Sequence, residues 1–317
     1  VNLDTLLLFT YADTLGTSPD AWTSWKETLM RQLHSLTSRF LTHGRAGYAA
    51  SIEEEKNELL NAVIGLMRDE YHPWIREHFE RMPPLAFSFR EAEHIVTQVR
   101  TVRHFVQREQ SQQSAYCIKW IDHAGKGYTE IILATRNRPN LLEKVCCALA
   151  HEQINILSAD FYTRIDGIVV DIFRVCNTNF EPISDPAVRK NFITKFEAIF
   201  PALEYNAEQY LKKRVNFLAR RTDGGISFPV RSYISNELHP SCTTVEIQAL
   251  DRIGLLHDLF HAINSHHLDT VHARICTEKG AAVDTLYITH PGGAKITDPR
   301  ILAELKRDLD TIISREE

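Results

Sequence analysis

The sequence predicts an α+β protein, with a helical N-terminal region followed by two copies of one small antiparallel unit. Three observations predict it. Residues 1–115 carry helical periodicity, the hydrophobic pattern changes after Tyr116, and the stretch "NRPNLL" at 137–142 returns as "DRIGLL" at 251–256 with parallel text after each copy.

In the helical region, "TSPDAWTSWKETLMRQLHSLTSRFL" opens on Ser18 as an N-cap with Pro19 at the first helical position. It places Trp22, Trp25, Leu29, Leu33, Leu36 and Phe40 on one stripe, which predicts a core-facing helix. A second helix is expected over 52–80 and a third over 90–110, separated at Pro83 and Pro84. The polar run "QREQSQQSA" reads as a linker.

Beyond it, "YTEIILAT" is strand-like, "NRPN" is a turn, and "LLEKVCCALAHEQ" spaces Leu141, Leu142, Val145, Ala148 and Leu149 as a helix face. "INILSADFYTR" and "IVVDIFRV" read as strands joined by a tight turn at Asp166-Gly167, a dipeptide that tolerates positive φ. A helix follows over 188–200, and a further strand is expected near 228–235. The second copy repeats the order: "TTVEIQA" as strand, "LDRIG" as turn, "LLHDLFHAINSHH" as helix, "LDTVHARICTE" and "AAVDTLYIT" as hairpin, and "DPRILAELKRDLDTIIS" as closing helix. Two such units form a ferredoxin-like βαββαβ plan, with helices over one face of an antiparallel sheet. No text remains after the last helix for a final strand, so that edge is expected to be bare or completed by another segment. The predicted domains are 1–115, 116–236 and 237–317.

Composition narrows the function classes. The chain has 317 residues, 44% hydrophobic and 24% charged, which suits two or three globular domains rather than a disordered chain. A net charge of −5 argues against general binding to nucleic acid or anionic membrane, and no apolar run reaches the roughly 18 residues of a membrane span. No signal-peptide pattern opens the sequence, and the six cysteines form no C-x-x-C pair, so a cytoplasmic protein with reduced thiols is expected. A chain opening on Val1 instead of Met suggests an excised piece.

The repeated turn carries the candidate chemistry. A strand entering a helix through a short turn leaves backbone N–H groups at the helix start, where the dipole is positive, and a carboxylate fits there. Asn137 in one copy and Asp251 in the other can accept a hydrogen bond from an ammonium group. Arg138, Asn140 and Leu141, with Arg252, Gly254 and Leu255, complete the two loops, and the helix-to-strand junctions add Asn155, Ile156 and Asp269. Together these suit a free amino acid, although Asn or Asp before a helix also serves as a plain cap.

The stretches beginning at Asn137 and Asp251 resemble ACT domains, small modules that bind amino acids, whose pattern is D/N-R-P-G-L-L followed by a G-x-N-I junction. A tandem pair after helical text is similar to the C-terminal half of the protein-PII uridylyltransferase/uridylyl-removing enzyme family. That resemblance implies glutamine sensing, the PII signalling protein as partner through a parent enzyme, and pairing of ACT units within or between chains. "LLLFTYADTLGT" is similar to the end of that family's HD hydrolase domain, which implies that Asp13 is a metal-ligand remnant. UTP and divalent magnesium or manganese would belong to the parent, since no complete catalytic motif and no cofactor site is written in this chain. Asn140 stands where the family has glycine, Ile253 where it has proline, and Asp269 where it has asparagine. The first loop, with Asn137 and Asn155, is therefore expected to be the main ligand contact.

Two rivals are weaker. His257 and His261 are spaced to hold zinc, yet the repeat aligns them with Glu143 and Cys147, and the apolar neighbours predict both imidazoles at the rim or in solvent. Lys212, Lys213, Arg214, Arg220 and Arg221 read as a solvated helix face rather than a nucleic-acid surface.

Overall fold

The computed structural model describes residues 2–17, 24–87, 90–202, 205, 207, 230–278 and 281–314. The expected cap at Ser18 and Pro19 and the basic run at 212–221 lie outside them. Two compact units divide the chain at 99/100.

The first unit holds α1 (Leu3–Thr17), α2 (Ser24–Leu66), α3 (His72–Arg81) and the start of α4 (Ala92–Gln110). Gly44, at φ 65°, kinks α2 through a conformation that only glycine adopts readily. The single helix expected over 52–80 is broken between Leu66 and His72, because Pro73 in the first turn of α3 cannot donate to a preceding turn. Met82 is extended ahead of Pro83, as the proline ring requires of its neighbour. Ile75, Phe79, Phe87 and Ile95 are buried, and the Phe79 and Phe87 rings stack at 4.2 Å. Leu33 and Phe40, expected to face a core, are instead exposed.

The second unit is one antiparallel sheet of eight strands with helices packed on one face and, by the other, the rest of α4, whose His104 lies 3.5 Å from Cys117. Its strands are β1 (Tyr116–His123), β2 (Tyr128–Arg136), β3 (Asn155–Thr163), β4 (Ile168–Cys176), β5 (Arg231–Ser235), β6 (Thr243–Leu250), β7 (Asp269–Glu278) and β8 (Ala281–Thr289). Their order is β1-β2-β4-β3-β7-β8-β6-β5. The helices α5 (Leu141–His151), α6 (Pro186–Ile199), α7 (Leu255–Ser265) and α8 (Pro299–Ile313) pack in the order α6-α5-α7-α8, with α5 beside α7 at the centre. Alternate strand residues, among them Leu133, Phe161, Phe173, Val245, Ile275 and Leu286, share one core with Leu149, Phe196, Phe260 and Leu309 of the helices.

Each half of the sheet is completed by a strand that precedes it in the chain. β1 pairs with β2, and β5 pairs with β6, so the second half's outer edge is supplied by the segment before it. The two halves are joined by β3 and β7, which align Ser158 with Cys276, Ala159 with Ile275 and Asp160 with Arg274. Both seam strands carry a bulge at the same repeat position, after Ile156 and after Thr270. Capping is repeated too: Asp185 accepts from the Ala187 amide and Asp298 from the Arg300 amide, each at 2.8 Å and each ahead of a proline. No helix among the described residues is long and apolar enough to cross a membrane.

Candidate functional site

The two repeated turns end up on either side of the β3–β7 seam, where each faces the helix-to-strand junction of the other half. The first turn is held down at its base. The Asn137 amide donates to the Gly167 carbonyl at 2.9 Å, and Arg136 donates to the Asp166 carbonyl at 3.0 Å while pairing with Glu109 at 2.7 Å. Asn140 ends the turn in the left-handed region at φ 58°, the position Gly254 takes at φ 87° in the second copy. Asparagine tolerates that conformation better than other side chains do, so it substitutes for glycine here. Neither residue caps its helix through a side chain.

Asn137, Arg138, Asn140 and Leu141 line a cavity of about 420 Å³ whose opposite wall includes Asp269, Thr270 and Thr289 of the second half. Small-molecule sites commonly fall between about 300 and 1,000 Å³. Arg138 lies over the Phe200 ring at 3.8 Å, and its Nε is buried with no hydrogen-bond partner among the described residues. Burial lowers its pKa, and an unsatisfied cation at the mouth of a cavity is a ready partner for an anion. The Asn137 side chain makes no hydrogen bond among the described residues. Asp269 is exposed at the other end. The cavity thus has a cation and an amide on one wall and a carboxylate on the other.

The second turn is closed. Asn155, Ile156, Asp251, Arg252 and Gly254 surround a space of only about 20 Å³, enough for about one water. Asp251 accepts from the Thr277 hydroxyl at 3.0 Å, and Arg252 pairs with Asp258 at 2.7 Å. Burial raises the Asp251 carboxyl to about 6. Ile253 is buried where its counterpart Pro139 is exposed, and this draws the second loop inward. Leu255 belongs to the core and lines neither space. Asn137 and Asn155 are therefore not brought together, since each faces a junction or turn of the opposite half.

Between the two spaces lies a buried polar cluster on the facing sides of α5 and α7. Glu143 accepts from Asn264 at 2.6 Å, from His261 at 3.0 Å and from the Tyr205 hydroxyl at 3.0 Å. These hydrogen bonds overcome the cost of burial and leave its pKa lowered. His257 is buried in the same cluster, 3.2 Å from the Tyr205 hydroxyl and 3.0 Å from Asp258. Only His261 reaches solvent, so the expectation that both imidazoles sit at the rim is corrected for His257. Burial occurs because α5 and α7 pack directly on one another, which a repeat seen only in sequence does not reveal. Asp13 is exposed on α1 and is in no three-residue group able to hold a metal ion among the described residues.

The lining residues that the sequence reading missed include Phe161, Asp171 and Asn264. For Asp171 a signal was available, since the acid within "IVVDIFRV" recurs as Asp284 in "AAVDTLYIT".

No family model matches the chain. It is similar to curated proteins named bifunctional uridylyltransferase/uridylyl-removing enzyme. One, from Gluconobacter oxydans, is 29% identical over 308 residues, covering 96% of this chain and 31% of the relative. Another, from Bradyrhizobium sp., is 28% identical over 324 residues, covering 98% and 32%. A third, from Rhodospirillum rubrum, is 24% identical over 317 residues, covering 99% and 33%. The chain spans about a third of the length of the curated relatives it matches.

Proposed function

We propose that residues 116–236 and 237–317, the first lending β5 to the sheet edge of the second, are two ACT-type domains that sense a free amino acid, glutamine, as the regulatory region of a uridylyltransferase/uridylyl-removing-like protein. One observation carries the reading: the first repeated turn and the junction of the opposite half enclose a cavity of about 420 Å³ with Arg138 and Asp269 on its two walls. Arg138, Asn137 and the amides of the α5 entrance would hold the α-carboxylate, and Asp269 the ammonium group. The strand order within each half, with β2, β4 and β3 adjacent, supports the ferredoxin-like assignment, and the paired α5 and α7 support ACT pairing within the chain. The names of the relatives support uridylyl transfer and removal as the parent activity, and the resemblance implies for that parent UTP, a divalent magnesium or manganese ion and the PII partner. Residues 1–115 would be the end of an HD domain, with Asp13 as its remnant ligand.

The closed second space favours a structural task for that turn, so one ligand per chain is expected. Calorimetry on the 317-residue chain with glutamine, glutamate and serine tests the reading. Saturable heat with glutamine, weakened by Asn137→Ala, is the expected result, and negligible heat with all three amino acids overturns it.

A further inference from the structure

Among the residues lining the cavity, Asp171 is chemically out of place. It lies on the helix-covered face of β4, between Val169 and Phe173, and is 1% exposed. One side of its carboxyl accepts from the Tyr162 backbone amide, and Oδ2 has no partner. A polar atom orphaned in a core is unfavourable, and one in a residue bordering a cavity is available to a ligand atom.

The repeat supplies the comparison. Asp284 holds the same place in β8 and accepts from the Cys276 amide at 3.1 Å, as Asp171 does from Tyr162, and its Oδ2 likewise has no partner among the described residues. The backbone bond therefore accounts for an acid in both halves. Only Asp171 also borders a cavity, since Asp284 lines neither space. Around Asp171 the cavity is walled by Phe161, Val169 and Phe260 together with the polar Thr163, Asn264 and Thr289, and of the lining oxygens Asp171 Oδ2 is the buried one with no partner among the described residues.

We propose that Asp171 reads that end: its free carboxyl oxygen pairs with a primary carboxamide and discriminates against a carboxylate. This rests on the cavity being the amino-acid site. Burial pushes the Asp171 pKa well above the usual carboxylate range, which favours its protonated form. A neutral acid donates O–H to the amide carbonyl and accepts N–H in return. A ligand carboxylate in the same place offers no N–H and adds a charge beside a buried acid. Asp171 is thus the determinant of glutamine over glutamate.

The test is calorimetry at neutral pH on the whole chain and on Asp171→Asn and Asp284→Asn, with glutamine and glutamate. Asparagine keeps an acceptor for Tyr162 and replaces the free oxygen with an N–H₂ that serves a carboxylate as well as a carboxamide. The expected result is a glutamine-to-glutamate affinity ratio that falls about tenfold in Asp171→Asn, the scale of one hydrogen bond, and is unchanged in Asp284→Asn. An unchanged ratio in Asp171→Asn, or an equal fall in Asp284→Asn, overturns the role of Asp171 while the sensing reading stands. Absence of binding to either amino acid in the unsubstituted chain overturns both.

Discussion

The Asp251 carboxylate accepts the Thr277 hydroxyl at 3.0 Å, and in doing so fills with the protein's own atoms the position that Asn137 leaves open in the other half. Two copies of one turn have diverged into a cavity and a plug. Thr277→Val removes the donor and leaves a buried acceptor behind. The expected cost is about 1–3 kcal/mol, read from the midpoint of urea unfolding.

A pH dependence follows from the same region. Burial raises Asp251 to about 6 and Asp284 to about 8, both above the ordinary aspartate value of 3.8. At these two groups the folded chain therefore binds more protons than the unfolded chain between about pH 4 and pH 8, and the stability they contribute falls as pH rises through that window. Asp284→Asn should flatten the upper part of the fall, between about pH 6 and 8, in unfolding curves taken across the range. A stability that climbs over this interval, once other titrating groups are held constant by comparison with the variant, would refute the assignment.

Glu143 ties α5 to α7 through Asn264, His261 and Tyr205. Glu143→Ala removes the acceptor that all three share and leaves Tyr205 only its contact with His257, and a loss of about 3 kcal/mol is expected. Glu143→Gln keeps acceptor capacity without the charge and should lose less. Chemical denaturation orders the two variants, and equal losses would mean that charge contributes nothing there.

Arg138 stacks on Phe200 and borders the cavity. Arg138→Lys keeps the charge but not the planar face or the forked donors, so glutamine affinity should fall about tenfold with the fold unchanged. Circular dichroism and calorimetry on the same sample separate a binding loss from a folding loss.

Local patterns were legible in the sequence and long-range ones were not. The Asp166-Gly167 hairpin was readable because its geometry depends on residues next to one another: Gly167 adopts φ 78°, and the Arg164 amide donates to Ile168 at 2.8 Å. The repeated turns and their helices were readable for the same reason. β1 went unseen because "YCIKWIDH" alternates poorly, with only Cys117 buried among its eight residues. The strand expected near 228–235 exists as β5, but its partner β6 could not be read, since nothing within a strand names the edge it joins.

The candidate site was legible as two loops and not as two unequal spaces. Ile253 in place of proline was visible as a departure, yet its consequence, a loop drawn into the core, depends on what surrounds it. Asp171 was hidden within an apolar run because an acid there reads as an interruption. Its recurrence as Asp284 was the overlooked clue.

Because β1 and β5 come before the strands they join, the first half possesses every strand of its own by the time α6 is synthesised. On the ribosome, where domains fold as units from the N-terminus, that half can seal its outer edge before β5 has emerged. When β5 does appear it meets an occupied edge behind it and an incoming β6 ahead. The order of synthesis thus gives the first of two look-alike halves its full set of strands before the edge strand of the second exists.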